Sequence, residues 1–94
     1  MTPLNPSSIS TTHKIWSLCA IRHSFEMRLL WNKKVASEIS QEDFDLAFTK
    51  EMQKFTESAS LINERKYDEF EKWLFKNTSK ETLELIAAAI FASS

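Results

Sequence analysis

Apolar residues recur every three or four positions through the middle of the chain, as they do along one face of an amphipathic helix. The clearest run covers residues 44–62, and a second run covers residues 67–74. A single helix over residues 41–76 would be about 54 Å long at 1.5 Å per residue, which is long for a compact domain of this size. The pattern is compatible with one helix or two, and a break is expected among the weak helix formers of residues 58–63.

Two hydroxyl residues stand three positions before an acidic residue, which is the spacing of a helix-capping box. Ser40 precedes Asp43, and Thr78 precedes Glu81. The first pair predicts a helix that begins near residue 41, and the second predicts a last helix whose apolar face lies within residues 83–91. Because the links between the predicted helices are short, neighbouring helices are expected to run antiparallel.

The first predicted helix is unusual because its apolar residues form two stripes rather than one. A hydroxyl residue among 10–12 can cap this helix, and we expect it to run to about residue 36. On a helical wheel of about 100° per residue, the first stripe contains Leu18, Ile21, Phe25, Leu29 and Ala36. The second stripe contains Trp16, Ala20, Met27, Leu30 and Trp31, with Cys19 at its edge. Polar flanks separate the stripes, and one of them consists of Arg22, Glu26 and Lys33.

A helix with two apolar stripes needs cover on both sides. Either other helices of the same chain cover both stripes, or a second protein covers one of them. We interpret the pattern as a homodimer, intertwined or side by side, with the stripe that holds Trp16 and Trp31 at or near the interface. A central helix within a closed monomeric bundle is the alternative.

Composition narrows the fold class further. The 94 residues contain no glycine, and the two prolines are Pro3 and Pro6. Tight hairpins, bulges and glycine C-caps are therefore disfavoured, whereas helices with short polar links remain possible. The sequence thus predicts an all-α fold, a small bundle of three or four helices in a single domain over residues 10–94, after a flexible arm at residues 1–9. The lack of glycine also excludes the P-loop, dinucleotide-binding and nucleophile-elbow motifs.

The net charge of −1 conceals an asymmetry along the chain. Residues 1–36 carry five basic side chains and one acidic one, whereas residues 37–94 carry seven basic and twelve acidic ones. The basic segment is expected to pack beside the acidic remainder or beside a partner chain, and an anion-binding surface is the alternative. The candidate interaction surface combines the second stripe with neighbouring cations: Trp16, Met27, Leu30, Trp31, Arg28, Lys33 and Lys34.

No set of residues predicts catalysis, a cofactor or a metal site. Cys19 and His23 stand four positions apart and could share a helix face, but two ligands do not make a structural zinc site. Cys19 lies inside a helix, where the helix dipole does little to lower the pKa of its thiol. The carboxylates, Asp68 and Glu71 among them, are expected on solvated faces rather than in an acid–base pair.

The sequence shows no secretory signal and no run that would span a membrane, so a cytoplasmic protein is expected. The predicted function is that of a non-enzymatic helical module for protein–protein interaction, a homodimer that regulates, adapts or inhibits a partner protein. A small nucleic-acid-binding regulator that uses the basic first helix is the second interpretation. A single exposed basic face would favour nucleic acid, whereas cations interleaved with carboxylates would favour protein contact.

Overall fold

The computed structural model describes residues 11–92, and these residues form an all-helical fold. Its four helices are α1 (Thr11–Val35), α2 (Gln41–Asn63), α3 (Tyr67–Asn77) and α4 (Lys80–Ala92). The all-α prediction and the short links are confirmed, and the count is four rather than three within this part of the chain. The predicted arm at residues 1–9 lies outside the described residues.

Helices α1 and α2 form an antiparallel hairpin on which the two shorter helices pack. Cys19 hydrogen-bonds Ser58, and Arg22 binds Glu51 nearer the start of α2. The antiparallel direction follows from this order. Helix α3 packs on α2 and α4 packs on α1. The core cluster between them contains Cys19, Ile62, Phe70 and Leu74, each less than a tenth exposed.

The region 41–76 is two helices, and its break lies at residues 64–66, slightly later than the expected residues 58–63. Ser58 and Ile62 are buried against the core, so tertiary packing keeps this stretch helical despite its weak propensity. Helix α2 ends in a Schellman motif, in which Arg65 adopts a φ of 60°. The Lys66 N–H donates to the carbonyl of Leu61 at 2.9 Å, and the Arg65 N–H donates to the carbonyl of Ile62 at 3.0 Å.

Helix α1 ends in the same motif, with Ser37 at a φ of 60°. The Glu38 N–H donates to the carbonyl of Lys33 at 2.9 Å, and the Ser37 N–H donates to the carbonyl of Lys34 at 3.1 Å. Glycine usually occupies this left-handed position, and we expected such caps to be disfavoured in its absence. The chain uses them twice with other residues, because the carbonyls at the end of each helix still need donors.

One of the two predicted helix caps is confirmed and the other is off by one residue. The Ser40 hydroxyl accepts from the N–H of Asp43 at 3.0 Å and begins α2. Helix α4 is capped by Ser79 instead of Thr78, since the Ser79 hydroxyl accepts from the N–H of Thr82 at 3.2 Å. The Thr78 hydroxyl instead accepts a hydrogen bond from Arg22 of α1.

We expect Ser37→Gly to stabilise the fold by about 0.5–1 kcal/mol, because glycine removes the steric cost of a positive φ. The gain is reduced because glycine loses more backbone entropy on folding than serine does. Ala20→Gly, at an exposed position inside α1, is the control and should destabilise by about 1 kcal/mol. Urea denaturation followed by circular dichroism measures both. Equal losses of stability in the two variants would show that Ser37 gains nothing from glycine.

Candidate interaction surfaces around a buried ion pair

The side of α1 that faces the other helices carries a charged residue at its centre. Cys19 and Arg22 are each 1% exposed, and Arg22 belongs to the flank that separates the two apolar stripes. The flank of Arg22 is therefore the middle of the contact side of α1, and the two apolar stripes lie at its two edges. In the first stripe Leu18 lies beside α3 and α4, and in the second Trp31 packs edge-on against Phe44 of α2 at 6.1 Å between ring centroids.

Arg22 and Glu51 form a two-pronged ion pair between α1 and α2. The Arg22 Nη1 donates to Glu51 Oε2 at 2.7 Å, and Nη2 donates to Glu51 Oε1 at 3.0 Å. The Glu51 side chain is 8% exposed, so both charges are removed from water. His23 adds a third contact, because its Nδ1 lies 2.8 Å from Glu51 Oε2. A buried carboxylate is stable only when its oxygens are satisfied in this way.

The same guanidinium also holds the link between α3 and α4. Its Nε donates to the Thr78 hydroxyl at 3.1 Å, and Nη2 donates to the carbonyl of Asn77 at 2.9 Å. Asn77 is the last residue of α3, where a cation also opposes the negative end of the helix dipole. The Arg22 guanidinium carbon lies 4.8 Å from the centroid of the Trp73 ring, a cation–π contact. Arg22 therefore joins α1 to α2, to α3 and to the link that precedes α4.

Glu26 lies one turn further along α1 and completes the cap of α4. Its Oε1 accepts from the Ser79 hydroxyl at 2.7 Å and lies 3.4 Å from the Ser79 backbone nitrogen. In a capping box this backbone N–H usually donates to the side chain of a Glu three residues further along the same helix. Here that position is Thr82, and a glutamate from another helix takes its place. The flank of Arg22 and Glu26 thus positions the start of α4 through Thr78 and Ser79.

Cys19 and His23 do not form a reactive pair. The Cys19 Sγ lies 3.1 Å from the Ser58 hydroxyl, while His23 contacts Glu51 and its ring packs tilted against Phe55 at 4.6 Å between centroids. Burial raises the pKa of the Cys19 thiol, and this effect exceeds the lowering by the Ser58 hydrogen bond and by Arg22. Cys19 is a core thiol rather than an activated nucleophile.

An exposed group of large apolar side chains lies where the end of α1 meets the start of α2. Trp31 is 57% exposed and Phe48 is 41% exposed, and half-buried Phe44 contacts both rings. Val35 and Met52 extend the group by one turn on each helix and are also exposed. We call these five residues the aromatic surface. Of these five residues, the sequence predicts only Trp31 as part of an interaction surface. Val35 belongs to neither stripe of α1, and the period of Phe44, Phe48 and Met52 on α2 is that of a core face.

The seven residues of the candidate interaction surface are distributed over different sides of α1. Trp16 is half-buried against the core cluster, and Met27 is half-buried one turn before exposed Trp31. Leu30 and Lys33 line a cleft of about 330 Å³ toward α2 and the start of α4. Arg28 is exposed and Lys34 is half-buried.

A second apolar feature is a groove bounded by α3, α4 and the start of α1. Its volume is about 550 Å³. Ten of its twelve lining residues are apolar or aromatic, and they are Ile15, Leu18, Tyr67, Phe70, Leu74, Phe75, Leu83, Ile86, Ala87 and Ile90. The other two are Asp68 and Glu71. We call it the α3–α4 groove.

Comparison with protein-family models, curated proteins and solved structures found no match to this chain. Within residues 11–92 no three His, Cys, Asp or Glu side chains are grouped so that they could hold a metal ion. None of the helices in this part of the chain is both long enough and apolar enough to cross a membrane. The features of this chain that bear on function are therefore its two apolar surfaces and the positions of its charges.

We expect Glu51→Leu to destabilise the fold by about 3–5 kcal/mol, because it leaves a buried guanidinium without its carboxylate. The double variant Arg22→Met/Glu51→Leu should recover part of this loss, since it removes both charges and keeps apolar volume but leaves Thr78 and the Asn77 carbonyl without their donor. The exposed pair of Lys66 and Glu64, 3.6 Å apart, is the control, and Lys66→Ala should change stability by less than about 0.5 kcal/mol. Urea denaturation would contradict the account if the double variant were less stable than Glu51→Leu.

We expect Cys19 in the folded chain to react with iodoacetamide at least about a hundredfold more slowly than in urea at pH 8, because burial both shields the thiol and lowers its thiolate fraction. The raised pKa means that folding favours the protonated thiol. Its contribution to stability should therefore be complete at pH values below the ordinary thiol pKa and lost as the pH rises through the raised one. Mass spectrometry of the alkylated chain measures the rate. Equal rates in buffer and urea would show that Cys19 is accessible and unperturbed.

Proposed function

We propose that the chain is a non-enzymatic helical module for protein–protein interaction that acts as a homodimer and binds a partner protein. The observation that carries this proposal is the aromatic surface. Trp31, Phe44 and Phe48 form a continuous line of ring contacts at 6.1 and 6.2 Å, yet Trp31 is more than half exposed. Grouped exposed aromatic and methionine side chains are typical of protein interfaces.

The charges beside the aromatic surface support self-association. Arg28 stands three residues before Trp31 on α1, and Asp45 stands three residues before Phe48 on α2. Residues three apart share a helix face, so the surface carries a positive charge beside Trp31 on α1 and a negative charge beside Phe48 on α2. In a two-fold dimer with α1 packed over the partner's α2, Arg28 of each chain would pair with Asp45 of the other, which gives two equivalent ion pairs. Such a surface is complementary to its own copy.

The distribution of the remaining cations supports a protein partner over nucleic acid. Arg22 is buried and its charge is paired with Glu51, so it is not exposed to a ligand. The cleft beside α1 contains three lysines and three glutamates, namely Lys33, Lys50, Lys54, Glu26, Glu51 and Glu81. Interleaved charges of this kind do not give the single basic face that phosphate backbones require. A nucleic-acid-binding regulator is therefore the second candidate, and a salt-dependent shift of labelled DNA or RNA would be needed to raise it.

We expect Trp31→Ala to weaken self-association by at least about 2 kcal/mol, or roughly 30-fold in Kd, because it removes an interface anchor. The helical signal in the far ultraviolet should be retained, since Trp31 is already exposed. Leu46→Ala is the matched control, because Leu46 is 62% exposed on α2 and outside the aromatic surface. Sedimentation equilibrium measures both variants. Equal effects of the two substitutions, or none, would remove the aromatic surface from the interface.

We also expect Arg28→Asp to weaken the dimer and Arg28→Asp/Asp45→Arg to restore it. The single variant opposes two carboxylates across each contact, and the double variant exchanges the charges without changing the contact. The effect should decrease in high salt because these side chains are exposed. Failure of the double variant to recover affinity would contradict the arrangement of α1 over the partner's α2.

A further inference from the structure

The α3–α4 groove exists because α3 and α4 are held by different neighbours. Helix α3 packs on α2, whereas α4 packs on α1 and is positioned by the Glu26 cap on Ser79. The two short helices meet at Thr78 and Ser79, and Arg22 and Glu26 hold this corner. Beyond the corner the helices separate, and apolar side chains line the space between them. Ile15 and Leu18 of α1 line its remaining side.

The dimensions and the exposed wall of the groove suit a helix. From Leu83 to Ile90 the α4 wall spans about 10 Å at 1.5 Å per residue, which matches two turns of a helix laid along it. The apolar character extends outward from the groove, because Phe75 on the opposite wall is 63% exposed. An amphipathic helix that presents apolar residues at positions i, i+3 or i+4, and i+7 would cover this length.

The charge of the rim selects the sign of the occupant. Within residues 11–92, Asp68 and Glu71 are the only charged side chains that line the groove, and both are exposed on α3. Neither carboxylate forms an ion pair with a cation of the described residues. Since they stand three residues apart, they lie on one side of α3 along the same edge of the groove. A helix with lysine or arginine beside its apolar stripe would pair with them.

We propose that the α3–α4 groove binds a basic amphipathic helix of a partner protein. This proposal rests on the proposed function of the chain as a protein-interaction module and names the surface and the chemistry of the partner. The groove uses α3, α4 and the start of α1, whereas the aromatic surface uses the end of α1 and the start of α2. Dimerisation and partner binding can therefore be tested separately.

The experiment is a selection of helical peptides from a random display library against the full chain, followed by fluorescence anisotropy with the selected peptide. We expect selected sequences that carry apolar residues at helical spacing and a net positive charge. Asp68→Lys/Glu71→Lys should weaken the selected peptide by at least about tenfold at moderate salt, since it replaces two attractions by two repulsions. Glu57→Lys/Glu69→Lys changes the net charge equally on exposed residues that do not line the groove, and it should leave binding nearly unchanged.

Ala87→Arg provides a second test, because Ala87 is an exposed residue of the α4 wall and a long side chain there would fill the groove. It should abolish peptide binding while the helical signal and the oligomeric state stay as in the unmodified chain. Peptides without a positive bias, or with affinity insensitive to Ala87→Arg, would overturn the proposal. Loss of self-association in Ala87→Arg would assign the groove to a second copy of the chain. Stoichiometric binding of a fluorescent fatty acid, lost in Ala87→Arg, with no peptide selected, would assign it to a lipid.

The two proposals fail in different ways. Trp31→Ala should weaken the dimer and retain the affinity of the selected peptide for the groove. If the unmodified chain is a dimer but no selected peptide binds in the groove, only the groove proposal fails. If the chain stays a monomer and still binds the basic peptide, the self-association part of the proposed function fails and the groove proposal stands.

Discussion

The buried pair of Arg22 and Glu51 is the interaction on which the arrangement of the helices depends. Burying a guanidinium to 1% exposure is costly unless several acceptors replace the water that it loses. Its acceptors come from α2, from the end of α3 and from the residue before the α4 cap. Each of these segments must therefore lie within hydrogen-bonding distance of one side chain of α1. The small apolar core packs between the same helices, beside this polar cluster.

This arrangement determines which apolar side chains remain uncovered. The flank of Arg22 and Glu26 faces inward, so the second stripe reaches the surface at Trp31, which contacts half-buried Phe44 of α2. At the other end, α3 and α4 diverge from the corner held by Arg22 and Glu26 and leave the α3–α4 groove open. The aromatic surface and the groove thus belong to opposite ends of α1. A dimer formed through one surface would leave the other free for a partner.

The sequence was sufficient to predict which segments are helical, because those signals are local, but it left residues 41–76 open as one helix or two. Apolar periodicity marked α2 and α3, and the Ser40 cap was placed correctly since it depends on residues three apart. The cap of α4 was misplaced because Thr78 is claimed by Arg22, 56 positions away. The role of Arg22 itself was missed for the same reason. On a helical wheel it separates two apolar stripes, and nothing local reveals that its partner is a glutamate on α2. The exposure of Phe48 and Met52 was equally hidden, since their spacing is that of a core face.

The most direct test of the account is the mass of the unmodified chain in solution. Sedimentation equilibrium over a wide micromolar range should give a single monomer–dimer equilibrium with a limiting mass of twice the 10.9 kDa of one chain. Adding the selected basic peptide should then raise that mass by two peptides for each dimer, because the groove is remote from the aromatic surface. A mass of 10.9 kDa at every concentration would contradict the homodimer.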